Sequence, residues 1–114
     1  MTPAVLLLAA MIQDPAVPST AERAQGTTVA AQEWVAKGLV LYKRLRFRAA
    51  AREFEQAVEA DPGSAAAHFY LGYTLYKIGE PTRRMTPEKQ RSREHFARCF
   101  ELDPAFRPDW APRQ

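Results

Sequence analysis

Two stretches of this chain end in the same way. Phe54-Glu-Gln-Ala57-Val58-Glu-Ala-Asp61-Pro62 corresponds to Phe96-Ala-Arg-Cys99-Phe100-Glu-Leu-Asp103-Pro104, with a large ring, a small residue three positions on and an Asp-Pro stop at equal offsets. The segments ahead of them also correspond: Gly38 lies three residues before Leu41, and Gly72 three before Leu75. An internal repeat of this kind restricts the fold more than any bulk property. Each copy must form the same supersecondary unit, and neighbouring copies must bury each other's apolar faces. The separation of Pro62 and Pro104 sets the period of this chain at 42 residues.

Each copy reads as a pair of helices. Thr28 is a candidate N-cap, and Val29 to Tyr42 places apolar residues at helical spacing, with Trp34, Gly38, Leu41 and Leu45 on one stripe. Lys43 to Arg46 marks a turn, and Phe47 to Ala60 is rich in Ala, Glu, Arg and Gln, which favour helix. Asp61-Pro62-Gly63-Ser64 stops that helix, and Ser64 caps a third, Ala65 to Ile78, which Gly79-Glu80-Pro81 ends. Thr86-Pro87-Glu88 supplies a hydroxyl cap, a proline for the first helical position and an acid for the first turn of a fourth helix reaching Leu102. No segment sustains the period-two alternation of a strand, so the expected class is all-α, with four antiparallel helices.

The flanks read differently. Residues 1–21 contain the apolar run Ala4 to Ile12, which is too short for a bilayer span of roughly 20 residues. Its length suits the apolar region of a secretory signal, with small residues Ser19 and Ala21 available for cleavage, but no Lys or Arg precedes it, which suits a plain hydrophobic leader instead. Exported, periplasmic and cytoplasmic locations therefore all stay open. Residues 22–28 read as a linker, and 105–114 as a short C-terminal tail. In that tail Phe106 and Trp110 could fold over the flank of the fourth helix as a cap, while Pro108 and Pro112 would keep it irregular and solvated.

Trp34, Gly38, Leu41, Ala50, Phe54, Ala57 and Pro62 stand at the spacing of the tetratricopeptide repeat, which this region resembles across 31–64. Lys37 departs from the pattern, occupying a position that is usually Leu. A second copy, 65–104, keeps Leu71, Gly72, Leu75, Phe96 and Pro104 but has His68 for the usual Trp and Ser92 and Cys99 for the usual Ala. Repeats of that family have a period of 34, so eight residues are extra here, and they are expected in a loop at 79–90. The resemblance implies a two-repeat domain over 29–104, a fragment of a right-handed solenoid.

In that family the first helix of each repeat lines a concave groove for a peptide or protein partner. By helical spacing the groove residues would be Gln32, Val35, Leu39, Tyr42 and Lys43, then Ala66, Phe69, Tyr73, Tyr76 and Lys77. This is an aromatic surface suited to an extended or helical peptide. The clamp by which some family members hold a C-terminal carboxylate uses Asn beside Lys and Arg, and this groove has no Asn. The expected role is a non-catalytic interaction module, a scaffold or adaptor. The alternative is a self-associating assembly protein, a homo-oligomer using the same groove or the uncapped flank.

The net charge of +3 does not demand nucleic acid, but the basic residues cluster. Arg44, Arg46 and Arg48, with Lys43 and Arg52, form one group, and Arg83, Arg84 and Arg91, with Lys89, Arg93 and Arg98, form another. Both lie near turns that join paired helices, so together they would make one rim facing an acidic partner. Neither a stacking platform for single strands nor a groove-reading motif accompanies the rim. Contact with a membrane is expected only through the leader, if it stays uncleaved.

The sequence offers little chemistry. It lacks a phosphate-cradling Gly-rich loop, a paired-His metal motif and a nucleophile elbow, and no cofactor is expected. A single cysteine, Cys99, rules out an internal disulfide. His95 and Cys99 are four residues apart on one helical face, with His68 in reach, but packing explains all three better than a metal does.

Overall fold

The computed structural model describes residues 28–110, so the leader and most of the linker lie outside the described residues, as do 111–114. Four helices and no strand occur among the described residues: α1 (Val29–Lys43), α2 (Phe47–Ala60), α3 (Ala65–Gly79) and α4 (Pro87–Leu102). Three of the four starts follow from local chemistry. Thr28, Ser64 and Thr86 each turn a side-chain oxygen onto the N–H three residues on, at 3.4, 3.1 and 3.2 Å. Thr28 also donates its own N–H to Asp61 at 3.0 Å, which ties the start of α1 to the end of α2.

α1 ends in a Schellman arrangement, in which Arg46 N–H reaches back to Leu41 O and Leu45 N–H to Tyr42 O. That geometry needs a left-handed residue, and Leu45 supplies it at φ 62. Leu45 therefore leaves the stripe of Trp34, Gly38 and Leu41 on which its spacing had placed it, and stands 73% exposed.

α1 packs on α2, α2 on α3 and α3 on α4, giving two helical hairpins in tandem. Close approach within each hairpin is made by glycine. A Cβ on Gly38 would stand 2.4 Å from the Phe54 ring, and one on Gly72 would stand 3.1 Å from Ser92 O and 3.4 Å from Phe96. Around these contacts Ala31, Ala50, Phe54, Ala57, Ala67, Leu71 and Leu75 form the core, and Cys99 and Ser92 fill the places in α4 that alanines fill in α2.

The eight extra residues are not all loop. The second connection, 80–86, has seven residues against three in 44–46, and the rest extend the C-terminal end of α3 and the N-terminal end of α4, so Gly79 and Pro87 to Gln90 are helical. Lys89 holds that connection together, donating its ammonium to Thr82 O and, at 2.9 Å, to Arg84 O.

Candidate interaction face

α1 and α3 lie side by side and present aromatic side chains on one face. Tyr42 of α1 meets Tyr73 of α3 at 6.2 Å between ring centroids, and Tyr73 continues to Phe69 at 6.1 Å and to Tyr76 at 6.0 Å. Leu39, Tyr42, Ala66, Phe69, Tyr73 and Lys77 are partly buried, while Gln32, Lys43 and Tyr76 are exposed. Val35 departs from the spacing argument. It is only 9% exposed and belongs to the core, in one cluster with buried residues of α2 and α3. Lys77 is engaged with Glu80 at 3.5 Å.

The tail does not lie along the outer flank of α4. It returns over the α1/α3 face, where Trp110 stacks on Tyr42 at 4.9 Å and meets Tyr70 at 5.0 Å and Tyr73 at 5.1 Å. Phe106 lies 5.3 Å from Phe69. Tyr70, which spacing alone did not single out, fixes the backbone of this segment. Its hydroxyl donates to Asp109 O at 3.2 Å and accepts from Asp109 N–H at 2.8 Å. Tyr70 is 4% exposed, and its ring stacks on Phe54 at 5.7 Å. Burial pushes its phenol above the ordinary value, and the same holds for Tyr42, so both keep their protons at neutral pH. A buried tyrosine needs a partner for its hydroxyl.

The basic residues do not form a uniform rim. Arg44 and Arg46 stand exposed in the first turn, and Arg83 and Arg84 in the longer connection. Arg48, Arg52 and Arg91 instead line an open cleft between α2 and α4 that also contains Glu55 and Glu88. Arg91 pairs with Glu55 at 2.7 Å, and Arg98 with Glu101 at 3.4 Å, so part of the positive charge is locally compensated.

His68 and His95 form a pair. His68 Nε2 lies 2.8 Å from Pro62 O, which can only accept, so it carries the hydrogen. In the neutral pair His95 Nδ1–H then donates to His68 Nδ1 at 2.9 Å, with the rings stacked at 5.2 Å. Cys99 is fully buried, and burial with nearby Asp103 raises its thiol to about 11. Among the described residues no three or more His, Cys, Asp or Glu side chains are gathered as metal ligands.

Residues 35–83 match the family model of the tetratricopeptide repeat. That stretch of the chain is similar to the tetratricopeptide repeat. No curated protein and no solved structure matches it. The match runs from α1 through α3, and α4 completes the second tetratricopeptide hairpin by packing Phe96 against Gly72 as Phe54 packs against Gly38. Lys37, the departure in the first repeat, holds its ammonium 4.6 Å over the Trp34 ring, so a cation covers that ring where an aliphatic side chain is usual. Tetratricopeptide repeats are protein-interaction modules in general, which is the class of role that the match suggests.

Proposed function

We propose that the chain acts as a non-catalytic adaptor that binds an extended polypeptide along the α1/α3 face. The observation that carries this reading is the row Tyr42, Tyr73, Phe69 and Tyr76, beside which the Tyr70 hydroxyl already holds the backbone of Asp109. Rings held by packing give large contact area at little entropic cost, and a hydroxyl that bonds both main-chain groups of one residue accepts any side chain there. Lys43 at the edge of the row favours an acidic flank in the ligand. Peptide display against the full chain tests the reading. Selected peptides should carry aromatic residues and lose binding to Tyr73→Ala, whose helical circular dichroism should stay native. Selection of peptides indifferent to Tyr73 would move the site elsewhere.

A second reading, self-association, is favoured by Phe100, which remains 42% exposed on the outer helix where a further repeat would pack. Sedimentation equilibrium that changes with concentration, and that Phe100→Glu reverses, would support it.

A further inference from the structure

We propose that Ala105 to Trp110 is a built-in occupant of the α1/α3 groove, which a partner of the same chemistry must displace in order to bind: an extended segment carrying two aromatic side chains four residues apart. This rests on the reading of that face as the interaction surface.

The tail holds the groove by two side chains and one main-chain clamp. Phe106 sits against Phe69, Trp110 is seated on Tyr42, Tyr70 and Tyr73, and between them the Tyr70 hydroxyl bonds both the N–H and the C=O of Asp109. Arg107, Pro108 and Asp109 are exposed, so the segment crosses the surface without entering the core. The buried cluster is built from α1, α2 and α3, and Trp110 only packs against its edge. An integral cap would bury its own backbone bonds in a helix, whereas residues 106–110 contain none. Pro104 and Pro108 stiffen the segment, which reduces the entropy lost on docking. An incoming chain also has a place to start. Tyr42, Lys43, Leu45 and Tyr73 line an open cleft directly beside Trp110, and Leu45 forms its exposed apolar lip.

A segment tethered this closely competes at an effective concentration on the order of millimolar. The apparent affinity for any external ligand then falls by the fraction of molecules whose groove is empty. Opening the groove should accordingly raise affinity by about 10-fold or more.

The test uses the full chain and a labelled, end-capped synthetic peptide, Ala-Phe-Arg-Pro-Asp-Trp, that reproduces the tail, followed by fluorescence anisotropy. The double variant Phe106→Ala/Trp110→Ala should bind it about 10-fold or more tightly than the unsubstituted chain, and adding Tyr73→Ala should abolish the binding. Asp109→Pro keeps every groove residue and both tail aromatics but removes the N–H given to Tyr70, and it should give an intermediate gain. Equal affinity of the folded double variant and the unsubstituted chain overturns the proposal. If the double variant fails to fold, absence of any gain in Asp109→Pro overturns it in the same way. A displayed peptide that needs Tyr73 yet binds the unsubstituted and opened chains equally overturns tail occupancy while leaving the groove reading intact. Failure of every peptide on every variant overturns both.

Discussion

At Leu45 the backbone turns through φ 62, a region in which a side-chain Cβ crowds the carbonyl that follows, and it does so to close the hydrogen bonds that end α1. Glycine would meet that need without strain, yet the position carries a large apolar side chain that faces solvent at the lip of the cleft beside Trp110. Strain retained at an exposed position points to use of the side chain. Leu45→Gly is expected to stabilise the fold by about 1 kcal/mol in urea denaturation and to weaken binding of the tail peptide to the opened groove. A variant that is less stable would show that Leu45 contributes packing of its own. The facing histidines argue in the opposite sense. Burial, then His68 and Arg91, lower the His95 pKa to about 4, against weaker opposing pulls from Glu94 on its own helix and Glu55 on α2. His68 is lowered too, chiefly by burial. The unfolded chain therefore binds protons near pH 6.5 that the folded chain refuses, so the stability these groups contribute is complete above that pH and is lost as pH falls towards 4. Because His95 is partly exposed, the screened loss should be about 1–2 kcal/mol between pH 7 and pH 4. His95→Gln should flatten that part of the pH–stability curve, and an unchanged slope would assign it to carboxylates.

Each hairpin depends on a glycine opposite a ring, and the two hairpins are not equally tight. A methyl on Gly38 would stand 2.4 Å from a Phe54 ring that is fully buried and cannot withdraw. Gly38→Ala should cost about 1–3 kcal/mol or more in chemical denaturation. At Gly72 the nearest atom is Ser92 O at 3.1 Å, and α4 is held by a longer connection, so Gly72→Ala should cost distinctly less. The reverse order would mean that the first hairpin yields more readily than its contacts indicate. Elements of this kind were legible in the sequence because their signals are local. A hydroxyl before a helix, a Pro after it and small residues at repeated offsets act within a few residues of where they stand. Val35 was misplaced because the edge of an apolar stripe belongs to core or groove according to how far a neighbouring helix rolls over it. Leu45 was misplaced because a Schellman end usually announces itself by glycine. The course of the tail was not legible for a different reason. Phe106 and Trp110 advertise only that they will be covered, and which surface covers them depends on Tyr42 and Tyr70, brought near by folding alone.

The described residues hold two hairpins of an architecture in which each unit buries its faces on neighbours, and stable arrays usually have at least ~3. Among the described residues the outer side of α4 leaves Phe100 exposed, whereas the tail covers the α1/α3 face. The apolar residues left exposed are spread out: Val29 and Val40 on α1, Leu45 at its end, Tyr76 on α3, Met85 in the connection and Phe100 on α4. Scattered apolar side chains are ordinary on a monomer, whereas a contiguous aromatic patch is not. Trp110 is the piece that turns the second situation into the first, since it lies across Tyr42, Phe69, Tyr70 and Tyr73 together. Two consequences should follow from Trp110→Ala. Stability should fall by about 1–3 kcal/mol, less than for a fully buried ring because Trp110 is only partly covered. The uncovered face should then find cover in trans, so that sedimentation equilibrium changes from a monomer at all concentrations in the unsubstituted chain to a concentration-dependent dimer in the variant. A chain that already dimerises with Trp110 in place, and whose dimer Tyr73→Ala dissolves, would show that a second copy, rather than the tail, is the occupant of the groove in solution.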